Sequence, residues 1–147
     1  MPVIVKKTDL QKTLDAAKQN YGYASTFTDP KSAARIYKST ADSCVGALLT
    51  IKSEHQGNLS RSLVFQAIHG YTRAAIKYDD AGRNVKANKN AERGLYVLGA
   101  YGFDPINQRE LDQVNLLLAT AKYVKAKALN IILSNDLTRA LRTGEKR

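Results

Sequence analysis

Cysteine is almost missing from this sequence: of 147 residues, only Cys44 is one. A lone thiol permits neither an intramolecular disulfide nor a multi-cysteine zinc site, so the fold must be held by packing. Tryptophan is absent, methionine occurs once, and the three prolines are Pro2, Pro30 and Pro105. No apolar run approaches the roughly 20 residues that cross a bilayer. The opening MPVIVKK is too short of apolar residues for a secretory signal. The expectation is therefore an intracellular location, cytoplasmic or inside a virion, with no membrane partner. Acid is scarce as well: 13 Asp and Glu stand against 23 Lys and Arg, for a formal charge of +10. Phosphate loops of the GxxxxGKS/T or GxGxxG kind do not occur, which excludes the commonest nucleotide-binding signatures.

What is present is apolar material at helical spacing. Hydrophobic residues make up 44% of the sequence, enough for a packed core and too much for a disordered chain. The length suits one domain, 1–147, with a short N-terminal tail and a basic C-terminal one. Thr8 and Gln11 have the spacing of a capping box, which predicts a helix over about Asp9–Gln19 with Leu10, Leu14 and Ala17 in one stripe and Tyr21-Gly22-Tyr23 as its end. Asp29-Pro30 marks a second start, because Asp accepts from free helical N–H groups and Pro presets φ where its missing N–H costs nothing. From there Ala34, Tyr37, Ala41, Cys44, Leu48 and Ile51 keep a 3–4 spacing, predicting a helix to about Glu54 with Gly57 as its stop.

A third helix, capped by Asn58 or Ser60, is predicted to run to about Tyr78 with Val64, Ala67, Tyr71, Ala74 and Tyr78 inward. Asp79-Asp80-Ala81-Gly82 reads as a turn. A fourth helix over Asn84–Tyr101 would face Ala91, Leu95, Leu98 and Tyr101 to the core, weakened by Gly94 and Gly99. Asn107 then offers a cap with Glu110 three residues on. The last long helix carries Leu111, Val114, Leu118, Ala121, Val124 or Lys125, Ala128 and Ile132 inward. It is expected to break at Ser134-Asn135-Asp136, before a short helix with Leu137 and Leu141. Val3-Ile4-Val5 is the one β-branched run, too short to found a sheet. The fold class expected is all-α, an antiparallel bundle of five or six helices in a single domain.

Residues able to carry chemistry are few. His55 and His69 lie fourteen apart with no ligand cluster beside them, so no metal site and no cofactor is expected. Cys44 falls on an inward stripe and reads as a small buried hydrophobe rather than a nucleophile. Arg61 precedes His69 with seven residues between, outside the four to six of the HEPN ribonuclease pattern, so that active site is not carried over. The carboxylates are scattered, with Asp79-Asp80 the one adjacent pair. The sequence thus points to a protein that is not an enzyme.

The charge is spread through the body. Lys and Arg outnumber acids seven to three over 1–40, seven to three over 61–93 and seven to two over 120–147. Lys86, Lys89 and Arg93 share a helical face around Asn90, Lys122 and Lys125 share another, and Arg139 and Arg142 lie in the basic C-terminal end. Such spacing suits phosphate oxygens, whose condensed counterions each bound cation releases. Among the eight tyrosines, Tyr37, Tyr71, Tyr78, Tyr96 and Tyr101 fall inward, leaving Tyr21, Tyr23 and Tyr123 available for stacking. No helix-turn-helix, RRM, KH or zinc-finger signature is present, so contact with the backbone rather than base readout is expected. The function expected is a basic helical subunit binding the backbone of RNA or single-stranded DNA within a larger nucleoprotein assembly. The competing expectation is a protein–protein module, an adaptor, chaperone or phage virion component that packs on partner helices or on itself.

Overall fold

The computed structural model describes residues 2–50 and 57–145, and these form five α-helices and no strand. They are α1 (Pro2–Ala24), α2 (Pro30–Thr50), α3 (Asn58–Asp80), α4 (Asn84–Tyr101) and α5 (Gln108–Glu145). α3 touches every other helix, α1, α2, α4 and α5, while α1 also meets α2 and α4 meets α5. Centrality explains its composition. Leu63, Ile68 and Thr72 of α3 are among the largest side chains that lose all contact with solvent.

Two of the helix starts follow directly from local chemistry. Asp29 accepts the N–H groups of Lys31 and Ser32 together with the Ser32 hydroxyl, and Pro30 occupies the first helical position. At the head of α5, Asn107 Oδ1 accepts the Glu110 N–H at 2.9 Å, while Glu110 reaches back to the Ile106 N–H at 2.9 Å. The Ile106 N–H and the Arg61 guanidinium hold the Glu110 carboxyl below its ordinary range, against the small penalty of desolvation. Arg61 also stands over the Phe103 ring, 5.9 Å from its centroid, so the loop between α4 and α5 is fastened to the start of α3.

Other expectations are corrected. α1 begins at Pro2 and runs on to Ala24, so Thr8 lies inside the helix rather than capping it, and Tyr21-Gly22-Tyr23 does not end it. The helix also takes in Val3-Ile4-Val5. α3 starts after Gly57, which bonds through its backbone, so neither Asn58 nor Ser60 is the cap. Asp79 and Asp80 close the last turn of α3, and the chain reverses at Ala81-Gly82, where Gly82 takes φ +73. α5 continues through Ser134-Asn135-Asp136 without interruption. Those three residues cost a helix only a few tenths of a kcal/mol each, and no Gly or Pro is there to stop it. The expected end of α2 at Glu54, with Ile51, lies outside the described residues.

Within the core, Ala34, Tyr37, Ala41, Cys44 and Leu48 of α2 and Val64, Ala67, Tyr71, Ala74 and Tyr78 of α3 are all buried, as their spacing predicts. Burial pushes the Cys44 thiol up to about 11, consistent with a packing role. Tyr21, expected to be free, is buried between the Tyr37 and His69 rings, and its hydroxyl donates to the Gln66 carbonyl at 2.6 Å. Conversely, Tyr96, Tyr101 and Leu111 are exposed, and Leu118 and Ile132 are only half-buried. On α4 Ala91 is buried as expected, together with Ala87, Asn90, Gly94 and Val97, and Leu95 and Leu98 are half-buried against the core. A Cβ on Gly94 would lie 3.4 Å from Thr72 Oγ1 and 3.5 Å from Tyr71 Cβ, so the small residues let α4 sit close on α3.

Candidate nucleic-acid interface

The side chains on α4 sort by charge around the helix. Its small residues face α3, which turns Lys86, Lys89 and Arg93 outward, all three exposed and none ion-paired among the described residues. Asn90, expected to share their face, is instead buried, its Nδ2 donating to the Lys86 carbonyl at 2.8 Å. Lys86 Nζ stands 5.5 Å from the centroid of the Tyr78 ring, a contact that orders the side chain without neutralising it. At the far edge Arg93 lies near Asp42. Burial works to raise that carboxyl, but hydrogen bonds from Lys38 and Tyr71 and the charges of Lys38 and Arg93 outweigh it and hold Asp42 below its ordinary range.

α5 continues the basic surface. Lys125 Nζ lies 3.9 Å from Glu92 Oε1, which brings that edge of α5 against α4, and Lys122 is exposed one turn earlier on the same edge. The band so formed holds Lys86, Lys89, Arg93, Lys122 and Lys125, with Glu92 beside Lys125 and Asp42 near Arg93 as its acids. Between Lys89, Glu92 and Arg93 runs a shallow open groove whose fourth wall is Tyr96, 73% exposed. An aromatic face beside two cations is the arrangement on which an unpaired base stacks while its phosphates are held. Hydropathy alone places Tyr96 in the core. Its register shows otherwise, since it follows Lys89 by seven residues and Arg93 by three and must share their side of the helix.

Arg139 and Arg142 are exposed but stand apart. Arg139 is fourteen residues beyond Lys125, about 21 Å along the axis at 1.5 Å per residue, on a stretch of α5 that overhangs the other helices. The structure therefore gathers five of the seven sequence-predicted cations and leaves these two as a separate basic end. Tyr123, the aromatic expected to assist Lys122 and Lys125, is exposed. Lys127 is taken by Asp79 at 2.9 Å, and this bond together with the Asp79 charge raises its pKa.

The residues weighed for catalysis serve other contacts. Arg61 is bound to Glu110, and Phe65 stands between Phe103 and His69, 6.1 Å from the one ring and 6.4 Å from the other. His55 lies outside the described residues. Among those residues no group of three His, Cys, Asp or Glu side chains could hold a metal ion, and no helix is long and apolar enough to cross a membrane.

Burial, with the Arg73 charge adding to it, pushes His69 down from 6.5 to about 4. Between those values the unfolded chain binds a proton that the folded chain refuses, so stability falls as pH drops from about 6.5 toward about 4. The full gap corresponds to about 3 kcal/mol, and the solvent at the ring edge reduces the expected loss to about 2 kcal/mol. Urea unfolding at pH 7 and pH 4.5, compared with His69→Phe, checks this: the substitution should remove that part of the acid sensitivity. Equal pH dependence in both proteins would exclude it.

Comparison with protein-family models, with curated proteins and with solved structures gave no match.

Proposed function

We propose that this chain is a non-catalytic antiparallel helical bundle that lays the α4–α5 basic band on the phosphate backbone of RNA or single-stranded DNA, as one subunit of a nucleoprotein assembly. The observation carrying this reading is the placement of Lys86, Lys89 and Arg93 together on one exposed face, with Lys122 and Lys125 beside them and Tyr96 exposed within the band. Core packing does not require that arrangement, because the α4 core face is made of other residues. Five cations in reach of phosphate favour backbone contact with no sequence preference. Tyr96 favours unpaired over paired bases, whose faces are closed by stacking.

The test is fluorescence anisotropy with labelled single-stranded and duplex oligonucleotides from 50 to 300 mM salt. Kd at physiological salt should fall at about 10⁻⁴ to 10⁻⁶ M. Log affinity for the single strand should fall against log salt with a slope of about −3, from roughly 0.7 for each of four or five phosphates. The single strand should bind more tightly than the duplex. Absence of binding at 50 mM salt would end this reading and leave the second one, a module that packs on partner helices or on itself. That second reading draws on the large apolar side chains exposed along α5.

A further inference from the structure

α5 carries two apolar faces, and the other helices cover one. Its inner face presents Val114, Ala121, Val124 and Ala128, buried against α3 and α4. A helix that packs by one face should be polar on the other. Here Leu116 and Tyr123 are 69% and 67% exposed, and Leu133 and Leu137 are 62% and 61% exposed. Of the twelve exposed large hydrophobics among the described residues, six belong to α5.

Their register is more informative than their number. Starting from Leu116, exposed positions recur at alternating steps of three and four: Ala119, Tyr123, Ala126, Asn130, Leu133, and on to Leu137 and Ala140. That is an unbroken heptad spacing over about three and a half repeats, on the side of α5 opposite its buried face. Spacing of 3.5 drifts by about 20° per heptad on a straight helix, and winding around another helix cancels the drift. The single polar member, Asn130, is of the type that fixes register at a core position of a coiled coil.

We propose that this outer face of α5 pairs with α5 of a second copy of the chain, antiparallel, in a two-fold dimer. Charge selects the orientation. Lys122 and Lys127 flank the first half of the stripe and Asp136 the second. Parallel alignment sets Lys122 against Lys127 of the second copy, a like-charge contact. Antiparallel alignment about the level of Ala128 sets Lys122 against Asp136 at both ends. Lys127, which then meets its own counterpart at the axis, is already paired with Asp79 at 2.9 Å. The same alignment is complementary in size, with Leu116 opposite Ala140, Ala119 opposite Leu137, and Tyr123 opposite Leu133. The two bodies lie on opposite sides of the paired helices, because each is packed on the inner face of its own α5.

The stripe is about 37 Å long at 1.5 Å per residue and about 10 Å wide, so each copy contributes a flat footprint of about 400 Å². Interdigitated side chains bring the total to about 1,000 Å², near the lower bound for a specific interface, and set the expected Kd in the micromolar range. This inference does not rest on nucleic-acid binding, although it draws Lys122, at the α5 edge of the basic band, into the dimer seam.

Sedimentation velocity of the full chain between about 1 and 200 μM is the test. The mass should rise from the 16.2 kDa monomer toward twice that value. Leu133→Lys with Leu137→Lys, or Leu116→Lys alone, should weaken the dimer at least tenfold with helical content and Tm unchanged, since these side chains touch solvent. Asp136→Lys should weaken it too, and adding Lys122→Asp should restore it. A monomer at every concentration overturns the proposal, as does a dimer indifferent to Leu133 and Leu137 or a mass climbing past two copies. A dimer that the charge swap does not restore overturns the antiparallel register.

Discussion

Lys86→Glu combined with Lys89→Glu is expected to lower affinity for a single-stranded oligonucleotide between about tenfold and a hundredfold at 150 mM salt. It should also flatten the salt slope by about 1.4, the contribution of two phosphate contacts at roughly 0.7 each. Both side chains are exposed and free of ion pairs among the described residues, so neither change empties a core position or strands a buried charge. The stability lost is confined to the contact of Lys86 with the Tyr78 ring, about 0.5–1 kcal/mol, which for a chain of this size lowers Tm by about 2–4 °C. Arg139→Glu with Arg142→Glu is the matching control. Those residues lie about 21 Å or more beyond Lys125 along α5, more than two Debye lengths at this salt, and should change binding little. Loss of binding in the control with none in the α4 variant would move the site to the outer end of α5. Unaltered binding in both would leave no role for either cluster.

Gly70→Ala should destabilise the fold by about 3 kcal/mol, although Ala is ordinarily the better helix former by about 1 kcal/mol. Gly70 lies in the middle of α3 where α1 and α2 converge on it. A Cβ there would overlap the Tyr21 hydroxyl, come within 2.8 Å of Tyr21 Cζ and lie 2.9 Å from Ala41 Cβ. The Tyr21 ring cannot swing away cheaply, since it is held between the Tyr37 and His69 rings, with centroids 5.6 Å and 5.1 Å distant. Ala41 Cβ is fixed to the α2 backbone, so α2 itself must shift. Overpacking of this kind costs about 1–3 kcal/mol, and a displaced Tyr21 hydroxyl leaves the Gln66 carbonyl without its 2.6 Å bond, adding about 1–3 kcal/mol. Gly46→Ala is the contrast: nothing lies within 4 Å of its Cβ position, so the helix-propensity gain should survive and raise stability by up to about 1 kcal/mol. Thermal and urea unfolding of the two variants should therefore differ in sign. A stabilised Gly70→Ala protein would show that α1 and α2 do not converge on α3 as described.

These two glycines mark how far the sequence could be read. Both sit inside helices, and nothing local distinguishes them. The caps at Asp29 and Asn107 were legible because their partners lie within three residues. Arg61, which completes the second cap through Glu110, comes from 49 residues away and had no local signal. The tyrosines show the same limit. Reading α4 by hydropathy favours Ala91, Leu95, Leu98 and Tyr101 for the core; Ala91 is buried and Leu95 and Leu98 are half-buried against it, but close approach to α3 adds Ala87 and Gly94 at the centre of the face and leaves Tyr101 out. Tyr96 is thereby turned out beside Lys89 and Arg93. Tyr21, next to Gly22, resembles the end of a helix, yet α1 continues past it and its ring fills the space that Gly70 leaves open.

The sequence by itself determined that this protein is built of helices, where α2, α4 and α5 begin, which α2 and α3 residues form their buried stripes, and that the folded body is strongly basic. Each of these depends on neighbours a few residues apart or on composition alone. Tertiary structure alone decided which side of α4 is covered, that α5 runs unbroken, that the cations of α4 and α5 form one band, and that α5 keeps a second apolar face open. The physical reason is that helical periodicity defines stripes but does not say which one a neighbour will cover. That choice is made by the shape of a partner helix 20 to 50 residues away, and shape at a contact belongs to pairs of helices rather than to any one segment.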